Sequence, residues 1–426
     1  MLQVSLMRDH KDVVIAGFKK RGWSDEKLKL IDDAIALDDK RKALQTENDQ
    51  LLGQINKLSS SIGEMFKSGQ REEAEKLKAE VTGLKGSTGT LEEKMKTVKT
   101  DLNNILFQMP NVPNELVPAG LTEEDNEVFK DSQGTIPDLH ENAVAHWDLI
   151  EKYNLVDFKL GVKITGAGFP LYRGKGAKLQ RALISYFLDQ AIEAGYEEVI
   201  PPLLVNADSA FGTGSLPDKD GQMYYMEKDD LYLIPTAEIP VTNIYRNEIL
   251  KEEDFPLKHC AFTPCFRREA GSHGADVKGL NRVHQFDKIE IVQIAHPKDS
   301  YTVLHEMLDH VESLLKNLEL PYRILRLCGG DLTFASALTY DFEVFSAGQK
   351  KWLEVSSVSN FETFQTNRMK LRYKDENGKT QLAHTLNGSA LALARIVASI
   401  LENNQTPEGI VIPKVLQKYT GFSIID

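Results

Sequence analysis

The sequence predicts an α+β protein, in which an N-terminal antiparallel α-helical coiled-coil arm precedes a body built on an antiparallel β-sheet. Two patterns support this prediction. A seven-residue apolar repeat runs from Ser24 to Gln108, which is typical of a coiled coil. Beyond a proline-rich linker, helical segments alternate with short strands and local hairpins, which favours an antiparallel sheet over a doubly wound parallel one.

Length and composition restrict the class of protein. The 426 residues are 41% hydrophobic and 27% charged, as expected for a folded chain of two or three domains. No run of 18 uncharged apolar residues occurs, and charges between Arg8 and Asp12 interrupt the N-terminal segment, so we expect neither a membrane span nor a signal peptide. Three cysteines are too few for a disulfide framework, and a cytoplasmic location is expected. The net charge of −12 argues against a broad nucleic-acid-coating surface, but not against a local one.

The predicted arm consists of two helices of roughly 40 residues joined by a short turn. Its first helix places an apolar residue at every seventh position: Leu30, Leu37, Leu44, Leu51, Leu58 and Met65. Its second helix repeats the period: Leu77, Leu84, Leu91, Val98 and Ile105. Ser24 is a good N-cap for the first helix, and we expect the turn at residues 67–70.

The predicted seam between these helices has weak points. Arg41, Asn48 and Thr88 are polar residues at seam positions. Three glycines between Gly83 and Gly89 fall within the second helix, and each costs about 1 kcal/mol relative to alanine. We therefore expect a soft point, or a local break, in that stretch.

The linker and the first elements of the body follow the arm. Prolines 110, 113 and 118 end the second helix, so we expect an N-terminal domain over residues 1–110, with its arm at about 25–109, and a second domain over 111–426. The predicted elements of the body are a helix over Lys178–Glu193, a strand from Glu197 closed by Pro201-Pro202, a strand over His284–Ile294, and a hairpin from Met369 through Asn377-Gly378.

Residues 265–292 hold the most informative group of polar side chains. Arg267–Glu269 end one predicted strand, a loop rich in glycine, serine and histidine follows, and a second strand passes through Phe286 and Glu290. A guanidinium and a carboxylate at the lip of a hairpin can hold a phosphate and an amine together. An internal Arg–Glu pair on a surface hairpin explains the same residues.

Two further segments carry candidate nucleotide ligands. Glu354 lies two and three residues before Ser356 and Ser357 in a strand-like context, and carboxylate and hydroxyl oxygens are groups that Mg²⁺ accepts. An ordinary polar strand face is the alternative. Arg395 is the only charged residue between His384 and Glu402, where a turn is expected to lead into an apolar helix. A nucleotide phosphate or a buried glutamate would satisfy this charge equally well.

The tripeptide Thr236-Ala237-Glu238 adds a hydroxyl and a carboxylate directly after a predicted strand over Tyr232–Pro235. These side chains add candidate polar groups for a site. The alternative is a helix N-terminus, with Thr236 as the cap and Glu238 in the first turn.

Other chemistries have little support in the sequence. Neither a Gly-x4-Gly-Lys-Ser/Thr loop nor a Gly-x-Gly-x-x-Gly following a strand is present. Cys260 and Cys265 lie near His259, but no second cysteine pair follows, so zinc is not expected. A Ser–His–Asp triad lacks the Gly-x-Ser-x-Gly context.

Together these segments closely resemble the seryl-tRNA synthetases, a family of class II aminoacyl-tRNA synthetases, over the whole chain. The resemblance covers the arm, Pro201-Pro202 as motif 1, Arg267–Glu269 as motif 2 and a helix over Gly388–Arg395 as motif 3. The segments TAE at 236–238, HQFDKIE at 284–290 and EVSS at 354–357 resemble the serine-specific additions of the family. The resemblance implies a class II catalytic domain over 111–426 and a tRNA-binding domain over 1–110.

The resemblance also implies site residues. Arg267 and Arg395 are the implied catalytic residues. The implied ATP-binding residues are Arg267, Arg268, Glu269, Val283, Phe286, Glu354, Val355, Ser356, Ser357 and Arg395. The implied serine-binding residues are Thr236, Ala237, Glu238, Arg267, Glu290, Thr385, Asn387 and Ser389. Glu354 and Ser357 would carry Mg²⁺. Arg268 departs from the small hydroxyl residue of many family members.

The implied activity is ATP-dependent activation of L-serine to seryl-adenylate and transfer to the 3′ end of serine tRNA. Whether selenocysteine tRNA is also charged is left open by the sequence. The implied assembly is a homodimer whose arm grips the long variable arm of the tRNA, without a membrane partner. The segment Asp25–Met109 contains 14 Lys and Arg residues and 16 Asp and Glu residues. Between Lys76 and Lys99, however, it contains six lysines and only three glutamates, a local basic excess that suits contact with an RNA backbone. The alternatives are a ligase that charges a carrier protein and an inactive coiled-coil scaffold.

Overall fold

The computed structural model describes residues 1–218, 221–269 and 278–426. The chain divides into two compact units. The arm unit comprises Leu2–Lys19 and Trp23–Pro110, and the body unit comprises Met1, Lys20–Gly22 and Asn111–Asp426. The glycine-, serine- and histidine-rich loop predicted after Glu269, at 270–277, lies outside the described residues.

The arm unit contains the predicted helical hairpin. Its helices are α1 Val4–Asp9, α2 Lys11–Lys20, α3 Asp25–Lys67 and α4 Arg71–Leu106. The Ser24 hydroxyl accepts a hydrogen bond from the Lys27 N–H at 3.3 Å, as expected for an N-cap. Arg8 of α1 pairs with Asp39 of α3 at 2.7 Å, which fastens the short helix to the long one. The turn falls at residues 68–70, as predicted.

The seam of the arm buries the expected face of α4, including Val81, Leu91 and Val98. The helix runs through Gly83–Gly89 without interruption, so the expected break is absent from this stretch. The flanking seam residues remain packed against α3, and this burial offsets the low helix propensity of glycine. Thr88 is buried in the seam, where its hydroxyl is satisfied because it donates to the Lys85 carbonyl of its own helix at 2.9 Å.

The body unit contains the remaining helices and the strands. The helices are α5 His146–Lys152, α6 Phe158–Ile164, α7 Gly174–Glu193, α8 Ala207–Thr213, α9 Glu238–Thr242, α10 Ser300–Asn317, α11 Phe364–Met369, α12 Leu393–Asn403 and α13 Lys414–Thr420. The strands are β1 Glu127–Gln133, β2 Glu197–Glu198, β3 Leu204–Asn206, β4 Tyr225–Met226, β5 Leu231–Leu233, β6 Ile249–Lys251, β7 Leu257–Phe266, β8 Gln285–Ala295, β9 Tyr322–Arg326, β10 Leu338–Ser346, β11 Lys351–Glu362, β12 Arg372–Lys374, β13 Thr380–Leu382, β14 His384–Ala392, β15 Gln405–Thr406, β16 Gly409–Val411 and β17 Ile424–Ile425.

The centre of the body unit is a sheet with the strand order β1-β9-β10-β11-β14-β8-β7-β2. Its pairings are antiparallel except at one edge, where β2 runs parallel to β7. The antiparallel sheet predicted from the sequence is therefore confirmed. Helices α7, α10 and α12 supply apolar side chains to the main core, among them Phe187, Met307 and Ile396. Among the described residues, no helix combines the length and apolar character needed to cross a bilayer.

Two predicted elements of the body have a different form. Residues 384–392 were expected to be a turn leading into a helix but form β14, which pairs with β11 and β8. A short apolar run buried in the middle of a sheet has no periodicity that separates it from a buried helix. Met369 was expected to start a strand but ends α11, and the hairpin is reduced to Arg372–Lys374 and Thr380–Leu382. The strand at Glu197 is two residues long.

Candidate active site

A cavity of about 440 Å³ opens at the centre of the sheet in the body unit. It lies over β8, β11 and β14, and the segments before α9 and after β7 form part of its wall. The cavity is lined by most of the residues that the sequence predicted: Thr236, Glu238, Arg267, Glu269, Val283, Phe286, Glu290, Glu354, Val355, Ser356, Ser357, Asn387, Ser389 and Arg395. Residues more than 150 positions apart in the chain therefore share one site.

One end of the cavity is a small, buried polar pocket. Lys288 and Glu290 project to the same face of β8 because they are two residues apart, and their side chains form an ion pair at 2.6 Å. The Thr236 hydroxyl donates to Glu290 Oε2 at 3.1 Å and accepts from Lys288 Nζ at 3.0 Å. The side chains of Lys288 and Glu290 are only 7% and 2% exposed, so the ion pair is shielded from bulk water.

Glu238 lies beside this pocket at the start of α9. The Thr236 hydroxyl accepts from the Glu238 N–H at 3.2 Å. Glu238 lies in the first turn of α9, as the helix interpretation expected, but the N-cap is Ala237 and not Thr236, so the hydroxyl of Thr236 serves the pocket. Burial, together with the charge of Glu290, raises the pKa of Glu238 to about 7. The Gln365 amide donates to Glu238 Oε1 at 2.6 Å and holds the carboxyl group in place.

The segment after β7 contributes Arg267 and Glu269. The guanidinium of Arg267 lies 5.2 Å from the centre of the Phe286 ring, and its Nε donates to the Pro235 carbonyl at 3.4 Å. Glu269 pairs with Arg282 at 3.3 Å, from the far side of the same opening. This arrangement leaves a cation, an aromatic face and an acidic group together at the mouth of the cavity.

Arg395 enters the cavity from the first turn of α12. Its Nε donates to the Asn281 carbonyl at 3.0 Å, and its Nη1 donates to the Glu354 carbonyl at 2.6 Å. The Glu354 carboxylate lies 3.5 Å from the same Nη1. In this structure the charge of Arg395 is thus met by a glutamate and two carbonyl oxygens, and the side chain is held at the cavity wall.

Glu354 and Ser357 on β11 lie beside a third residue with side-chain oxygen atoms, Asp341, which is the direct register partner of Ser357 on β10. Burial, followed by the charge of Glu354, raises the pKa of Asp341 well above its ordinary range. Asp341 Oδ1 is buried and has no hydrogen-bond partner among the described residues. Two carboxylates and a hydroxyl with an unsatisfied oxygen form a donor set suited to a hard cation such as Mg²⁺. No cluster of three His, Cys, Asp or Glu side chains suited to a metal occurs within the described residues.

Three predicted site residues do not line the cavity. Arg268 turns away from it, because its Nε donates to the Met223 carbonyl at 3.0 Å and its guanidinium covers the Tyr224 ring. Ala237 is fully buried in a small apolar cluster. Thr385 lies one layer behind the cavity, where its hydroxyl donates to Gln365 Oε1 at 2.6 Å. Thr385 can therefore reach Glu238 only through Gln365.

Sequence reasoning missed several residues of the site. Lys288 could have been found, because it falls at the two-residue spacing of Phe286 and Glu290 within HQFDKIE. Asn281 and Asp341 had no such signal. The first acts through a backbone carbonyl, and the second reaches the site only because β10 pairs with β11.

Comparison with known proteins agrees with the geometry. The family model for the seryl-tRNA synthetase N-terminal domain matches residues 1–113, and the model for the tRNA synthetase class II core domain (G, H, P, S and T) matches residues 223–404. A serine–tRNA ligase of Salinibacter ruber is 48% identical over 93% of each chain.

Two solved structures are similar over the whole chain. Seryl-tRNA synthetase from Pyrococcus horikoshii, complexed with ATP, superposes with a TM-score of 0.91 at 35% identity, covering 100% of this chain and 99% of that one. The cytoplasmic serine–tRNA ligase of Naegleria fowleri, in complex with AMP, gives 0.86 at 26% identity with the same coverage.

Proposed function

This chain belongs to the seryl-tRNA synthetase family, and we propose that the cavity over β8, β11 and β14 is the place where its serine and ATP react. The activity is that of a class II serine–tRNA ligase: serine is activated with ATP and then joined to tRNA. What is proposed below is which side chain performs which part of this reaction.

The polar pocket formed by Thr236, Lys288 and Glu290 is the proposed serine site. Glu290 would offer its carboxylate oxygen atoms to the substrate amine, with Thr236 holding that carboxylate, and Glu238 would bind the side-chain hydroxyl of serine. Asn387 and Ser389 line the same cavity from β14. Alanine should be rejected strongly, because it would leave these buried polar groups without a partner. Threonine differs by one methyl group, so its exclusion depends on the space at the wall, which is a weaker filter of about 1–3 kcal/mol.

The ATP site is proposed between the segment after β7 and α12. Arg267 would bridge the α-phosphate and the serine carboxylate, and Arg395 would hold the γ-phosphate. Phe286 offers its ring to adenine, with Glu269 and the Val283 backbone at its edge. The serine carboxylate attacks the α-phosphorus in line and pyrophosphate leaves. Catalysis is then positioning and charge neutralisation, with no side chain acting as acid or base.

Magnesium is proposed at Glu354 and Ser357, with Asp341 behind them. The buried, unpartnered oxygen of Asp341 supports this proposal, since an oxygen in that state calls for a cation or a donor. Mg²⁺ usually combines one or two carboxylates with substrate phosphates, which suits this small donor set. When bound, the ion would neutralise charge on the phosphates.

The observation that carries the proposal is that one cavity combines two guanidinium groups, Arg267 and Arg395, with the buried polar pocket of Lys288 and Glu290. The test is serine-dependent exchange of pyrophosphate into ATP, measured with serine, threonine and alanine. Exchange with serine far above the other two amino acids is expected. Exchange no higher than the no-serine blank would contradict it. Charging of serine tRNA but not of a carrier protein would distinguish the proposed function from that of a carrier-protein ligase.

We further propose that residues 1–110 form the tRNA-binding domain and residues 111–426 the catalytic domain of a cytoplasmic homodimer. The length of α3 and α4 and the lysines between Lys76 and Lys99 support a role for the arm in gripping tRNA. The dimer is supported by exposed apolar side chains next to the sheet-edge strand β2: Ile192 is 47% and Ile200 is 89% exposed.

A further inference from the structure

A buried hydrogen-bond network lies behind the cavity, and its side chains have no part in the roles assigned above. It centres on His146 at the start of α5 and Glu402 near the end of α12, and neither side chain is exposed. His146 Nδ1 lies 2.6 Å from Glu402 Oε1, and the His146 N–H donates to the same oxygen at 2.8 Å. The Ser346 hydroxyl donates to Glu402 Oε2. Burial opposes ionisation of Glu402, but these hydrogen bonds outweigh it and lower the pKa of this carboxyl group.

The network reaches the cavity through the segment Leu280–Val283, which forms part of the cavity wall. His146 Nε2 accepts the backbone N–H of Leu280 at 2.8 Å. Gln349 Oε1 accepts from the Asn281 side chain at 2.8 Å, while Gln349 Nε2 donates to Glu402 Oε1 at 2.9 Å. His146 and Gln349 thus both hold the wall segment by hydrogen bonds.

The same wall segment is also held by Arg395. Arg395 and Glu402 are seven residues apart on α12, which is about two turns, so they share one face of the helix at about 10 Å separation. Arg395 binds the Asn281 carbonyl directly, and Glu402 holds Leu280 and Asn281 through His146 and Gln349. One helix therefore fixes one short backbone segment at two points.

The hydrogen bonds also define which ring nitrogen of His146 carries the proton. Because Nε2 accepts the Leu280 N–H, it carries a lone pair, and Nδ1 carries the proton that it donates to Glu402. Gly279 allows this close contact: a Cβ at that position would lie 2.3 Å from His146 Nε2, and its φ is +66°. The neutral ring is thus built into the site as an acceptor for the wall segment.

We propose that His146 and Gln349 are positioning residues of the ATP site, which hold the Leu280–Asn281 backbone where it orients Arg395. This inference rests on the proposed assignment of the cavity to ATP. The serine pocket at Thr236, Lys288 and Glu290 makes its hydrogen bonds on other elements. Loss of the network should therefore weaken ATP binding and leave serine binding nearly unchanged.

The test compares His146→Asn with His146→Gln. The asparagine amide can replace the Nδ1 donor to Glu402 but cannot reach Leu280, whereas the glutamine carbonyl can replace the Nε2 acceptor. In serine-dependent pyrophosphate exchange, His146→Asn should raise the KM for ATP about tenfold, because a buried N–H loses its acceptor. His146→Gln should stay within about threefold of the parent enzyme. The KM for serine should change less than twofold in both.

Gln349→Ala is a second variant at a half-buried turn position, where a folding failure is less of a risk. It should raise the KM for ATP several-fold, again without an equal change for serine. If a His146 variant does not fold, the KM values of Gln349→Ala test the inference instead. Equal KM values for ATP in the two His146 variants, or parallel losses for ATP and serine, would overturn the inference. Absence of exchange in the parent enzyme would instead contradict the proposed function.

Discussion

Replacing Glu238 by glutamine should stabilise the ligand-free protein above neutral pH while it impairs serine activation. The carboxyl group lies beside Glu290, and burial raises its pKa to about 7 from an ordinary value of 4.5. The unfolded chain therefore releases this proton near pH 4.5, whereas the folded chain keeps it until about pH 7. Stability from this proton is fully present below pH 4.5 and is lost as the pH rises through 7.

The size of the effect follows from the pKa difference. About 2.5 pKa units at about 1.36 kcal/mol each give at most about 3 kcal/mol above pH 7. At pH 5.5 about 1 kcal/mol of this stability has already been lost, since the unfolded carboxyl is then largely ionised. Glutamine does not titrate, and its carbonyl can still accept from Gln365. The advantage of Glu238→Gln should thus grow by about 2 kcal/mol between pH 5.5 and pH 8.5.

The assay is urea unfolding of the ligand-free protein and of Glu238→Gln at both pH values. Glu408→Gln, at an exposed loop position, controls for the loss of one negative charge. A stability difference that is the same at both pH values, within about 0.5 kcal/mol, would refute the reasoning. Pyrophosphate exchange on the same samples should show a higher KM for serine, because the substrate hydroxyl loses a charged partner.

Three further outcomes are expected. Arg395→Ala should lower serine-dependent exchange at least about a hundredfold with little change in Tm, whereas Arg181→Ala on the exposed face of α7 should not; near-normal exchange would exclude a phosphate role. Glu354→Ala should raise the Mg²⁺ concentration for half-maximal exchange about tenfold, and an unchanged Mg²⁺ titration would count against the proposed ion site. Replacing residues 46–91 by a short Gly/Ser linker spares the Arg8–Asp39 pair; exchange should persist and tRNA charging should fall. Undiminished charging would show that the arm is dispensable.

The sequence predicted those parts of the fold that depend on local periodicity. The heptads of α3 and α4, the cap at Ser24 and the turn at 68–70 all follow from residues close together in the chain. Residues 384–392 were misjudged because a strand buried on both sides lacks the alternation that marks a half-exposed one. The break expected at Gly83–Gly89 did not occur because propensity is a weak term beside packing.

The site shows the same division between local and non-local information. Residues whose chemistry is carried by their own side chains, such as Arg267 and Glu290, could be named from motifs. Residues placed by backbone contacts or strand pairing could not: Asn281 acts through its backbone carbonyl, and Asp341 is placed by the pairing of β10 with β11. These contacts join positions far apart in the chain, so no spacing in the sequence marks them.

In the central strands of the sheet, one face is apolar and the other carries the buried charged residues of the candidate site. β8 is apolar through Ile289 and Ile291 on one face, while Lys288 and Glu290 occupy the other. A buried ion pair contributes little net stability, because desolvation offsets the attraction of the charges. Its contribution is to geometry: the pair and Thr236 fix one another, so the oxygen atoms proposed to contact serine are ordered before a substrate binds. Burial of Glu238 also lowers stability, because burial raises the pKa of its carboxyl group and disfavours the ionised form. A hydrogen bond from a bound hydroxyl group would stabilise that ionised form.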